Sequence, residues 1–81
     1  MKMKVIDPIL TGKKIQKMCK DKGISVSDIQ DALQLDSPQS VYKWFSDKTT
    51  GLPSLDHLVM LGALLDCQVG DLLVLKDMQQ K

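Results

Sequence analysis

Arginine, glutamate and asparagine are absent from this chain of 81 residues. Without arginine there is no planar fork of donors to grip a guanine edge at two points. Any such contact falls to lysine, a single-point donor. Without glutamate, an acidic residue that closes a helix capping box must be the shorter aspartate. Aromatic residues are almost as scarce: Tyr42, Trp44 and Phe45, all in one short window. Elsewhere a core must be built from Leu, Ile, Val and Met. The only cysteines, Cys19 and Cys67, sit far apart in different apolar patterns, which favours free thiols in a reducing compartment over a disulfide. No stretch approaches the ~18 apolar residues of a membrane span. The opening Met1-Lys2-Met3-Lys4-Val5-Ile6-Asp7-Pro8 has no apolar run long enough for a signal peptide, so a cytoplasmic protein is expected.

What is present fits one folded domain with a single small core: 43% hydrophobic and 26% charged residues. The net charge of +1 does not by itself announce a nucleic-acid partner. Its distribution says more. Residues 1–48 hold nine Lys against six Asp, a balance of +3, whereas residues 49–81 hold two Lys against four Asp, a balance of −2. Lys13, Lys14, Lys17 and Lys20 fit either a phosphate-facing side or a solvated helix face.

Taken in order, residues 1–10 read as an extended arm, β-friendly at Val5-Ile6 and with Pro8 stopping a helix from running through. A first helix fits Thr11 to Lys22, with Thr11 as N-cap, Ile15, Met18 and Cys19 as buried stripe, and Gly23 closing it in the left-handed region. Ser25 starts a second helix. With Asp28 it resembles a capping box, and Val26, Ile29 and Leu33 form the core stripe. The helix ends near Leu33-Gln34, Leu35 plugs the turn, and Asp36 or Ser37 caps the next helix. Residues 46–53 are a loop by composition. Ser54 caps a fourth helix, Leu55 to Leu65, whose apolar side is Leu55, Leu58, Val59, Leu61, Gly62 and Leu65; Gly62 implies a close helix approach. A last helix runs from Val69 to about Leu73. Val74-Leu75 either continues it or turns extended, and if extended it can lie beside Val5-Ile6. Residues 76–81 are expected to form a short flexible tail, leaving a domain over 11–75.

Between the turn and the loop lies a third helix, expected to begin at Pro38 with Ser37 as cap. Its apolar residues Val41, Trp44 and Phe45 fall at i, i+3 and i+4 and define an inward face. The other side carries Gln39, Ser40, Lys43 and Ser46, flanked by Tyr42: donors, acceptors and a positive charge with no acid. That is the pattern of a binding face.

Five short helices with a tight turn between the second and third resemble the Cro/repressor-type (XRE-like) helix-turn-helix family of bacterial and phage regulators. The resemblance spans about Gly12 to Leu73. It is carried by Gly12-Lys13-Lys14-Ile15, by Lys20-Asp21-Lys22-Gly23-Ile24-Ser25, by Ile29, Leu33, Leu35 and Val41, by Leu52-Pro53-Ser54-Leu55 and by Leu64-Leu65. It implies an all-α, compact five-helix lambda-repressor-like domain whose third helix lies in the major groove of double-stranded DNA. Carried over by position, Gln39, Ser40 and Lys43 would read bases. Gln39 suits adenine N6 and N7, and Lys43 suits guanine O6 or N7. Ser25, Ser27, Tyr42, Ser46, Lys48, Thr49 and Thr50 would meet the sugar-phosphate backbone. The chain departs from the family pattern at Val26 (usually Gln), Gln30 (usually a small Ala), Gln34 (usually Gly) and in a turn one residue longer, Leu33 to Val41.

Competing readings of the same residues are weaker. Trp44 and Phe45 at core spacing are expected inside rather than stacked on bases. Tyr42 fits a phosphate contact or plain surface packing. His57, near the start of the fourth helix, reads as a partly exposed or capping residue. A zinc site would need Cys19, His57 and Cys67 to converge without any paired ligand spacing, so no metal or other cofactor is expected. Nothing supports an enzyme. The expectation is a sequence-specific DNA-binding transcriptional regulator acting as a homodimer, with Leu72, Val74 and Leu75 as candidate dimer contacts. The alternative is a protein-interaction module, antitoxin-like or adaptor, on the same fold.

Overall fold

The computed structural model describes residues 3–48 and 51–78. The elements run β1 (Lys4–Ile6), α1 (Pro8–Asp21), α2 (Val26–Ala32), α3 (Gln39–Phe45), α4 (Leu55–Leu65), α5 (Val69–Leu72) and β2 (Leu75–Asp77). The molecule is mostly helical, with a small two-stranded sheet that an all-α expectation omits.

The first helix begins earlier than its composition suggests. Asp7, not Thr11, is the N-cap, its carboxylate accepting from the Leu10 N–H at 3.0 Å. Pro8 therefore opens the helix instead of blocking it, since at a first helical position its missing N–H is not needed. Thr11 is fully buried. Its hydroxyl accepts from Val74 N at 3.0 Å and donates to Val74 O at 3.3 Å, pinning α1 to the far end of the chain.

The extended alternative for the C-terminal segment holds. Antiparallel β1 and β2 pair Lys4 with Asp77, Val5 with Lys76 and Ile6 with Leu75. Asp7 N donates to Val74 O at 2.8 Å, so the ribbon runs directly into the start of α1. Lys76 and Asp77 are thus strand residues and not tail; residues 79–81 lie outside the described residues.

The core is Ile15, Cys19, Ile29, Leu33, Val41, Trp44, Phe45, Leu58, Leu61, Leu65 and Leu72. Cys19 and Cys67 are free thiols, and burial pushes the Cys19 thiol up from its ordinary value. Leu55 and Val59, expected on the buried side of α4, are instead 79% and 60% exposed. The covered face of that helix is narrower, Leu58, Leu61, Gly62 and Leu65. Gly62 has a different reason from the one expected. An added Cβ would stand 2.8 Å from the carbonyl oxygen of Cys67, in the turn that closes α4 itself, not in another helix.

Three helices end on the same backbone device, a reversal through a left-handed residue. After α1 it is Gly23 (φ +71), with Gly23 N donating to Lys20 O and Ile24 N to Cys19 O. After α4 it is Asp66 (φ 56). After α2 it is Gln34 (φ 55), with Gln34 N donating to Asp31 O at 3.2 Å and Leu35 N to Gln30 O at 2.9 Å. A side chain in that region suffers a steric penalty of roughly 1–2 kcal/mol, of which glycine's extra chain entropy would return about half. Gln34→Gly is therefore expected to raise stability by up to ~1 kcal/mol, read as a higher midpoint in thermal or urea unfolding. No change or a loss would mean that the Gln34 side chain stabilises the turn in another way.

Candidate DNA-binding face

α2 and α3 make the helix-turn-helix. Ser25 caps α2 reciprocally: its hydroxyl accepts from Asp28 N at 3.0 Å while Ser25 N donates to the Asp28 carboxylate at 2.9 Å. The Ser25 backbone N–H, and after it the Ser25 hydroxyl, hold the Asp28 carboxyl below the usual carboxylate range. The box has a consequence for the site. Ser25 is occupied, and a negative charge sits at the helix start where a phosphate was expected. Ser27 beside it is exposed.

The third helix starts one residue later than expected. Pro38 is the N-cap, in a helical conformation, and no side chain caps the helix; neither Asp36 nor Ser37 does so. From Gln39 onward the helical period sorts the side chains cleanly. Val41, Trp44 and Phe45 are buried, and the Trp44 ring lies 5.7 Å from the half-buried His57 ring of α4. Both large aromatics belong to the core and are withdrawn from any stacking role. Gln39, Tyr42 and Lys43 are exposed and fall at i, i+3 and i+4, so they share the outward face. Tyr42, read from sequence as a flank, is 54% exposed and stands within that face. Ser40, expected among the groove-facing side chains, is half-buried. The spacing of Gln39, Tyr42 and Lys43 is the sequence signal that groups Tyr42 with the other two.

Beyond α3, Ser46 is half-buried and its hydroxyl accepts from Lys48 N at 3.0 Å, tightening the turn that presents the exposed Lys48. Asp47 pairs with Lys13 of α1 at 2.8 Å, and this contact holds its carboxyl below the ordinary range. The bond ties the end of α3 to α1 and offsets the charge of this exposed acid. Thr49 and Thr50 lie outside the described residues. Among the described residues no group of His, Cys or Asp side chains is placed to hold a metal ion, and no helix is long and apolar enough to cross a membrane.

A buried inward triad, an outward polar face and a capped partner helix define a helix-turn-helix domain. The chain belongs to the Cro/C1-type HTH DNA-binding domain family, whose model matches residues 14–78. That range reaches past α5 and takes in the second strand. Neither a curated protein nor a solved structure matches the chain.

Proposed function

We propose that this protein is a cytoplasmic, sequence-specific regulator of transcription that inserts α3 into the major groove of double-stranded DNA. The observation that supports this most is the division of α3: Gln39, Tyr42 and Lys43 outward, Val41, Trp44 and Phe45 locked inward. An anchored helix holds its outward groups in a fixed register, which base reading requires. Gln39 at the N-terminal end would pair with adenine, Lys43 one turn on would donate to guanine, and Ser40 would make a marginal contact. Tyr42, Ser46, Lys48 and Ser27 would meet phosphates, and by their place in the sequence after α3 Thr49 and Thr50 are assigned the same role. Ser25 is left a lesser part, because its hydroxyl already serves the capping box.

One module of this size makes few phosphate contacts, so a homodimer on two half-sites is the working assembly. Leu72 is fully buried and takes no part in it, and the backbone of Val74 is bound to Asp7 and Thr11. Leu75 stays exposed beside its cross-strand partner Ile6, and this pair is the remaining dimer contact from that end of the chain.

The exposed stripe of Leu55, Val59 and Met60 on α4 favours a second reading, a protein-interaction module without base reading. Salt titration separates the two. For DNA binding, log K falls linearly with log salt, and loss of one phosphate contact lowers the slope by about 0.9. Lys48→Ala is expected to lower it by about that amount with no change in base preference. A salt-independent affinity, or none for any duplex at low salt, favours the interaction module.

A further inference from the structure

The longer turn between α2 and α3 poses a mechanical problem. The turn follows a left-handed residue that is not glycine, and α3 begins without a side-chain cap. Something else must fix where α3 starts. Leu35 is held through both its backbone N–H and its carbonyl by one residue of α2. Its N–H donates to the Gln30 carbonyl oxygen at 2.9 Å, and its own carbonyl oxygen accepts from the Gln30 side-chain amide Nε2 at 3.4 Å. The Leu35 side chain packs against the core between these bonds. Gln30 occupies the position where the family pattern has a small residue, and it is half-buried.

We propose that Gln30 is a positioning residue for base reading: its two-point grip on Leu35 sets the register in which α3 presents Gln39 and Lys43. The proposal rests on the DNA-reading function above. Gln30 touches no base itself. Its amide restores the definition that a tight glycine turn supplies through conformation alone. Without the Nε2 donor the Leu35 carbonyl turns to water, the second half of the turn loosens, and α3 samples neighbouring orientations. Contacts that need ångström placement suffer from this, whereas the less exacting phosphate contacts of Ser27, Ser46 and Lys48 suffer less.

Gln30→Met keeps the length of the side chain and removes the donor. The full chain is titrated with its preferred duplex, taken from a random pool, and with an unrelated duplex. Amide hydrogen exchange is followed in the absence of DNA. The expected result is a 5- to 10-fold loss of affinity for the preferred duplex, roughly the worth of one hydrogen bond, with the unrelated duplex and the salt slope unchanged. Amides of Leu35 and of Gln39 to Lys43 should exchange faster while the rest of the chain does not. An unchanged ratio of preferred to unrelated affinity overturns the proposal, as does a loss on both duplexes that tracks a lower midpoint of unfolding. If the unsubstituted chain prefers no duplex, the DNA-reading function falls and the grip is judged on exchange alone. Local acceleration at Leu35 and α3 then upholds Gln30 as the residue that positions α3, and uniform exchange refutes it.

Discussion

Gly12→Ala is expected to destabilise the fold by ~3 kcal/mol or more, at or beyond the upper end of ordinary overpacking. A Cβ at this position would run into the carbonyl oxygen of Trp44 and stand 3.1 Å from its carbonyl carbon. Both are backbone atoms at the end of α3, so no rotamer change relieves the collision. Either α1 withdraws or α3 shifts. Withdrawal opens a gap at Ile15 and stretches the Lys13–Asp47 bond, and a shift moves the outward face itself. The check is urea unfolding alongside DNA binding. A fall in midpoint should appear together with a loss of duplex affinity, although Gly12 lies on the opposite side of α3 from Gln39. Wild-type stability in Gly12→Ala would mean that the two helices are not in backbone contact.

Trp44→Ala is expected to remove ~3–5 kcal/mol, a large share of the ~4–12 kcal/mol available to a domain of this length. Trp44 is buried, lies against His57 of α4 and belongs to the triad that orients α3. Trp44→Phe keeps an aromatic against His57 and is expected to recover more than half of the loss. The pair distinguishes a core role from base stacking. In a stacking role, Trp44→Ala would weaken DNA binding at unchanged unfolding midpoint. In the core role the midpoint falls first, and whatever remains folded still binds.

These two positions also mark where reading the chain succeeds and where it stops. The inward triad, the Ser25–Asp28 box, the left-handed Gly23 and the Ser54 cap of α4 were all legible, because each depends on residues within about one helical turn. Gly12 and Thr11 were not, since their reasons lie far along the chain: Thr11 binds Val74 at a separation of 63 residues. A threonine before a helical pattern reads as a cap, and only the fold reveals that Asp7 has already done that work. Leu55 and Val59 failed in the opposite way. Apolar identity marks what can be buried, but α4 has too few neighbours to cover so wide a stripe. The candidate face shows the same division. Its residue types and period are readable in the sequence, whereas the half-burial of Ser40 against the exposure of Tyr42 depends on how neighbouring chain packs beside α3. The departures at Gln30 and Gln34 were visible as departures, and their meaning came only with the bonds they make around Leu35.

The most direct measurement is competition binding of the unsubstituted chain and Gln39→Ala against a selected duplex and each of its single-base-pair variants. If the outward face of α3 reads bases, the unsubstituted chain discriminates by ~1–3 kcal/mol at the base pair Gln39 meets, and Gln39→Ala loses that discrimination there while keeping it elsewhere. An identical discrimination profile for the two proteins would contradict the account.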